Sequence, residues 1–264
     1  MGRAHGIMQN TLRICRLPGR IPYGHALDMQ RRLARLRIAG ELEDDVVLLL
    51  EHEPVVTLGR GSRDDNIVAS GLLAARGIET VEIERGGDVT YHGPGQLVGY
   101  PIIDLKGYRK DLHWYVRRLE DVLIGTLSRL GLEAFRAPGL TGVWVGEDGE
   151  AETLPLRVGS GRARKIASIG VHVSRWVTWH GFALNVTREP LDNFRLIVPC
   201  GIDGVRMTCL EAEGAAADLD EANVAVRRGL AEAFDVRVVD LTPEAIAEAL
   251  GDDSISRAST ATPQ

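Results

Sequence analysis

The stretch VEIERGGDVTYHGPGQLVGYPIID, Val81–Asp104, carries the reading of the fold. Its ends, Val81–Glu84 and Leu97–Asp104, have the composition of short strands, and a glycine-rich loop, Arg85–Gln96, joins them. Upstream, Leu12–Leu17 alternates apolar and polar like a strand, and Tyr23–Ile38 spaces Ala26, Leu27, Leu33 and Leu36 like an amphipathic helix. The acidic turn Glu41–Asp45 precedes a continuous apolar run, Val46–Leu50, which Pro54 separates from a second strand, Val55–Leu58. A short helix is expected over Leu72–Arg76, stopped by Gly77.

Downstream, Asp111–Leu130 is the longest helical pattern, with Leu112, Tyr115, Leu119, Leu123, Leu127 and Leu130 on one face. Three strands follow, Val143–Val145, Ile166–Val173 and Thr178–Val186, the first two separated by the polar loop Gly146–Arg164. Ala222–Phe234 and Pro243–Leu250 read as helices, the second with Thr242 as N-cap and Pro243 at its first position. Strands and helices do not alternate regularly and the middle is strand-rich, so the class expected is α+β, a mixed sheet rather than a doubly wound parallel one. The organisation expected is a tail over residues 1–10, one domain over 11–250 and a disordered tail over 251–264.

Composition excludes little, although some classes are disfavoured. The 264 residues are 44% hydrophobic, which suits one large globular domain or two small ones. No apolar run is long enough to cross a membrane and Met1–Asn10 lacks a secretory core, so a cytoplasmic protein without a membrane role is expected. A net charge of -6, with no zinc-finger spacing, points away from nucleic acid. The charge is uneven: LRVGSGRARKI, Leu156–Ile166, holds Arg157, Arg162, Arg164 and Lys165 and no acid, which reads either as a solvated basic loop or as a docking patch for an acidic protein.

The loop Arg85–Gln96 has four glycines, a proline, an arginine and a histidine, more special backbone than a hairpin needs. It matches neither the dinucleotide fingerprint nor a phosphate loop, so ligand binding and simple turning both stay open. Of three cysteines, Cys15, Cys200 and Cys209, the second lies between Pro199 and Gly201 and is the reactive candidate. A free thiol is only ~3% ionised at pH 7, so a nucleophilic cysteine needs a neighbouring cation or base. The chain has three lysines, Lys106, Lys110 and Lys165, beside 28 arginines, and Lys165 is the one in a distinctive context; ordinary surface charge is its plain alternative. Seven histidines show no metal-ligand spacing, so no metal is expected, and a hydrolase pairing Cys200 with His92 or His180 remains a minority alternative.

These residues fall into five motifs: Leu50–Gly59, Arg85–Gln96, Lys165–Gly170, His180–Val186 and Pro199–Gly201. In this order they resemble the lipoyl(octanoyl) transferases, which belong with the lipoate and biotin protein ligases. The resemblance implies a ligase-like catalytic domain, a mixed sheet plus a smaller sheet flanked by helices. It implies octanoyl transfer from acyl carrier protein to a lysine of lipoyl domains, in 2-oxoacid dehydrogenase complexes or a glycine-cleavage carrier, with no cofactor. Cys200 matches the acyl-thioester nucleophile and Lys165 the lysine that lowers its pKa. Arg85, Gly86, Gly87, Asp88, Val89, Thr90, Tyr91 and His92 match one stretch lining the substrate site. Ser168, Ile169 and Gly170 match a second, and Gly181, Phe182 and Ala183 a third. The role of His92, a ligand contact or a bond fixing its loop, stays open. The stretch Glu147–Arg164 departs from the pattern as an insertion. The rival readings are an ATP-dependent ligase and a non-catalytic carrier-domain binder.

Overall fold

A computed structural model describes residues 10–63, 66–146, 163–199, 204–252 and 255. In chain order the strands are β1 Thr11–Ile21, β2 Asp45–His52, β3 Val55–Leu58, β4 Glu79–Glu82, β5 Val89–His92, β6 Gln96–Ile102, β7 Val143–Gly146, β8 Ala163–Ser174, β9 Val177–Asn185 and β10 Arg237–Asp240. The helices are α1 Tyr23–Ala39, α2 Ser70–Ala75, α3 Leu112–Arg129, α4 Leu191–Phe194, α5 Leu219–Phe234 and α6 Pro243–Leu250. Seven strands form one sheet in the order β10-β1-β2-β6-β9-β8-β7, and three form a second, β4-β3-β5. In the large sheet β1 runs parallel to β10 and β2, and the other pairs are antiparallel, so the mixed α+β expectation holds.

The apolar run in β2 shows why the large sheet is a middle layer. Val47 and Leu49 face α3 and α5, where Tyr115, Leu119, Val122, Leu123, Val226 and Leu230 bury them. Val46, Leu48 and Leu50 face α1, among Ala26, Met29 and Leu33, and α6 adds Ile246 and Leu250 to that side. A strand covered on both faces has no polar alternation to keep. The helices start as their caps dictate: Asp111 accepts from the Trp114 amide at 3.0 Å, and Asp218 and Glu221 form a reciprocal capping box. Thr242 accepts from the Ala245 amide at 3.2 Å with Pro243 at the first helical position, as expected.

Three differences from the sequence reading matter. The glycine-rich loop contains a strand, β5, whose four β-forming residues Val-Thr-Tyr-His pair antiparallel with β3. The short edge strand β10 was not anticipated, since two of its four residues are charged. The tail expected from residue 251 is described at only three positions, and at two of these the chain is held. Asp252 pairs with Arg32 at 3.1 Å, and Ile255 is buried in the cluster between α1 and α6. Residues 1–9, most of the expected insertion and Cys200 lie outside the described residues.

Candidate active site

A cavity of about 210 Å³ lies between the α1 face of the large sheet and the small sheet. Its floor is laid by paired strands: Ser168 and Gly170 of β8 stand opposite Ala183 and Gly181 of β9, and Tyr100 of β6 continues the surface. Small side chains leave that space open. At Gly181 a Cβ would meet the Gly99 carbonyl oxygen, and Pro101 Cδ at 2.6 Å, so the neighbouring strand enforces glycine. Arg85, Thr90 and His92 close the cavity from the small sheet, and Tyr23 from the start of α1.

Lys165 marks one end. It is 1% exposed, its Nζ donates to the Thr141 carbonyl at 2.9 Å, and it lies 5.6 Å from the centroid of the Trp144 ring. Burial this complete rules out the surface-charge reading, because moving an amine from water to a protein interior is costly without a role for it. Its backbone is held on both sides: β7 pairs Trp144 with Lys165, and the Arg206 carbonyl and Thr208 amide bond Lys165 at 2.8 and 2.9 Å. Gly142 fits against it in the left-handed region, φ 118°. A Cβ there would come within 2.6 Å of Lys165 Cε and of the Ala167 carbonyl oxygen. Gly142→Ala is therefore expected to displace the amine and cut turnover at least tenfold, measured against wild type at matched folded fraction.

Arg85 anchors the glycine-rich loop. Its buried guanidinium donates to the Thr57 carbonyl at 2.7 Å, to Thr57 Oγ1 at 2.9 Å and to the Gly86 carbonyl at 3.2 Å. The loop backbone docks on the Leu50–Gly59 motif and its neighbours, with the Arg60 amide on the Arg85 carbonyl and the Gly61 amide on Gly87, both at 3.0 Å. Gly86 bonds the Val171 carbonyl of β8 at 2.9 Å, which ties the loop to the cavity floor.

The other end of the cavity is polar. His52 is fully buried, with Nδ1 2.8 Å from the Ile21 carbonyl and Nε2 2.6 Å from the Tyr100 hydroxyl. A carbonyl only accepts, so Nδ1 carries the proton and Nε2 accepts from Tyr100, which in turn takes its hydrogen bond from Tyr23. His92 is fixed similarly: Gln96 Nε2 donates to the Tyr91 carbonyl and Asn185 Oδ1, which turns Gln96 Oε1 toward His92 Nδ1 at 3.2 Å. Nδ1 then holds the proton and Nε2 is the acceptor. Burial pushes His92 well below the usual histidine range, helped by nearby His52 and Arg85. Beside them, Glu84 is held well below the usual carboxylate range by His180 and by hydrogen bonds from Arg31 and Trp179.

Burial also pushes His52 down to about 4. A base depressed in the folded state refuses a proton that the unfolded chain accepts, so its contribution is complete above pH ~6.5 and lost as pH falls from there toward 4. The depression is worth about 3 kcal/mol by the pKa difference, so the urea midpoint should fall steeply between pH 6.5 and 4 and much less in His52→Gln.

Of the residues expected at the substrate site, Arg85, Gly87, Asp88, Val89, Thr90 and His92 line the cavity, as do Ser168, Ile169, Gly170, Gly181, Phe182, Ala183 and Lys165. Gly86 and Tyr91 do not. Gly86 spends its backbone on β8, and Tyr91 points to the opposite face of β5, where it meets Asn193 and the Phe194 ring. The sequence reading missed Tyr23, Tyr100 and the segment Gly139–Thr141, and it named His180 in a motif and as a hydrolase partner but not at the substrate site. In the basic run, Arg164 is paired with Glu213 at 2.7 Å and Lys165 is buried, so neither is free surface charge; Arg157 and Arg162 lie outside the described residues. Cys15 is a buried structural thiol, pushed up to about 12 by burial. Among the described residues no group of three His, Cys, Asp or Glu side chains is placed to hold a metal ion, and no helix is long and apolar enough to cross a membrane.

The family model described as the lipoyl protein ligase A/B catalytic domain matches residues 22–231. An octanoyltransferase of Solibacter usitatus is 48% identical over 222 residues, covering 84% of this chain and 92% of the relative. One from Nostoc punctiforme is 42% identical over 235 residues, covering 89% and 94%. Among solved structures, the bipartite lipoate protein ligase of Thermoplasma acidophilum, described with its E2 lipoyl domain, superposes with a TM-score of 0.67 at 18% identity, over 96% of this chain and 94% of that one. A lipoate-protein ligase A bound with ATP gives 0.63 at 17% identity, over 96% and 97%, and at such identities the likeness is one of fold. Match length and identity together place the chain in the lipoyl protein ligase A/B catalytic domain family.

Proposed function

We propose that this chain is an acyltransferase that moves an octanoyl group from an acyl carrier protein onto Cys200 and then to a lysine of a lipoyl domain, with residues 11–250 as one catalytic domain. The observation that carries the reading is the buried amine of Lys165 at one end of a cavity floored by Ser168, Gly170, Gly181 and Ala183. That cavity is lined by the motifs that resemble those of the octanoyltransferases, and the described residues flanking Cys200, Pro199 and Gly204, border one depression with Arg164 and Met207.

In the first step Cys200 Sγ attacks the donor thioester carbon. A carbon–sulfur bond forms to the enzyme, the one to the carrier breaks, and the carrier thiol leaves with the proton Cys200 gave up. In the second, the acceptor amine attacks the enzyme thioester, an amide forms and the cysteine recovers a proton, with Lys165 as the group that shuttles it. Thioester exchange is near neutral in free energy and amide formation is downhill, so the cycle needs no nucleotide.

Intact-mass spectrometry of wild type and Cys200→Ser, mixed with octanoyl-acyl carrier protein without ATP, tests this. The expected result is a gain of one octanoyl group in wild type, absent from the variant and discharged by added apo lipoyl domain. Wild type that gains no mass, yet modifies the lipoyl domain when octanoate and ATP are supplied, would instead be an ATP-dependent ligase.

A further inference from the structure

We infer that His180, with Tyr23, is the stop that sets acyl-chain length in this cavity; the inference rests on the octanoyl-transfer reading above. His180 is 1% exposed and lines the cavity, a buried imidazole whose Nδ1 meets no hydrogen-bond partner among the described residues. Its Nε2 faces Glu84 Oε1 at 3.7 Å, and the same carboxylate takes Arg31 and Trp179, so this end is polar. The hydrogen-bond chain from Ile21 through His52 and Tyr100 ends at Tyr23, which lines the same space. One end of the cavity is thus built of polar atoms that hydrocarbon cannot satisfy.

The spacing fits. At the reacting end, Lys165 Nζ and the Ala167 carbonyl oxygen both crowd the site a Cβ at Gly142 would take, at 3.1 and 2.6 Å. At the far end Val171 pairs directly with His180. Four residues of β8 separate Ala167 from Val171, roughly 13 Å at the rise of a strand. An extended eight-carbon chain spans roughly 9 Å from its carbonyl carbon, given bond lengths near 1.5 Å at tetrahedral angles. Laid along β8 from the reacting end, an eight-carbon chain ends before the Val171–His180 pair. Further methylenes would be driven against His180 and the Tyr23 oxygen, burying polar atoms against hydrocarbon.

The test compares octanoyl and decanoyl thioesters of the same carrier as acyl donors for Cys200, by intact mass over time. Each methylene placed against an apolar wall instead of a polar one is expected to raise the acylation rate up to about fourfold. His180→Leu should therefore raise the decanoyl-to-octanoyl rate ratio about tenfold. His180 sits at φ 56°, where leucine is strained, so Tyr23→Phe, which alters no backbone, is the second variant, with a two- to threefold rise expected in the same direction. If both variants are acylated on Cys200 with the wild-type decanoyl-to-octanoyl rate ratio, the stop lies elsewhere and the inference is overturned. If wild type is acylated by neither chain, the transferase reading fails first and the inference falls with it.

Discussion

Lys165→Met should abolish most octanoyl transfer, by about 10²- to 10⁴-fold in turnover, while leaving a folded protein. The magnitude is that of removing a positioned proton-transfer group. Methionine has nearly the length and volume of the lysine stem, so the space over Trp144 stays filled, and the change removes an amine from a fully buried site. The structural loss includes the donor on the Thr141 carbonyl, about 1–3 kcal/mol if that oxygen finds no other partner. For a chain of this size such a loss lowers the melting temperature by roughly 2–12 °C. Two measurements separate the roles: the thermal midpoint, and the rate at which Cys200 acquires an octanoyl group. A variant that melts within a few degrees of wild type and still acylates at the wild-type rate would show that Lys165 is a packing residue, and the Cys200–Lys165 assignment would fail.

The same lysine shows how far the sequence could be read. As a charge in an arginine-rich run it has the composition of exposed surface, and only the surrounding motif marked it out. What buries it is long-range: β7, the Thr141 carbonyl and the segment from Arg206 to Thr208 converge on it from positions distant in the chain. Burial by convergence has no local signature. By contrast, the two-sided burial of β2 was legible in Val46–Leu50, because an apolar run of strand length leaves no polar face to turn toward water.

The glycine-rich loop lies between these cases. Its glycines were visible, but they masked the four-residue strand within it, and with the strand went its parity. Once Val89–His92 is known to be a strand, period two sends Tyr91 away from the face of Thr90 and His92, and the misplaced Tyr91 corrects itself. The polar end of the cavity was less legible still. His52 lies in the motif Leu50–Gly59 and Tyr100 in β6, outside all five motifs, and the pairing of β2 with β6 brings them within 2.6 Å.

Arg85→Met carries the second large effect, and here stability and function should fall together. The guanidinium supplies the Thr57 carbonyl, Thr57 Oγ1 and the Gly86 carbonyl, and methionine removes these donors from a buried site. Hydrogen bonds from a charged donor are worth about 1.5–3 kcal/mol each, and they are not additive, so a total loss near 3 kcal/mol is expected. This corresponds to a drop of roughly 6–12 °C in melting temperature. Function suffers through geometry, since the Arg85 carbonyl, Gly86 and Gly87 dock the loop on Arg60, Val171 and Gly61, and His92 and Thr90 follow in the same chain segment. The half-saturating concentration of octanoyl-acyl carrier protein should therefore rise at least tenfold even at temperatures where the variant is fully folded. Arg85→Lys separates charge from fork: one ammonium reaches fewer of the three acceptors, so it should recover part of the melting temperature and little of the binding. If Arg85→Met lost stability but bound the donor as wild type does, the arginine would be a structural anchor only, and the substrate role carried over to it from the family would be withdrawn.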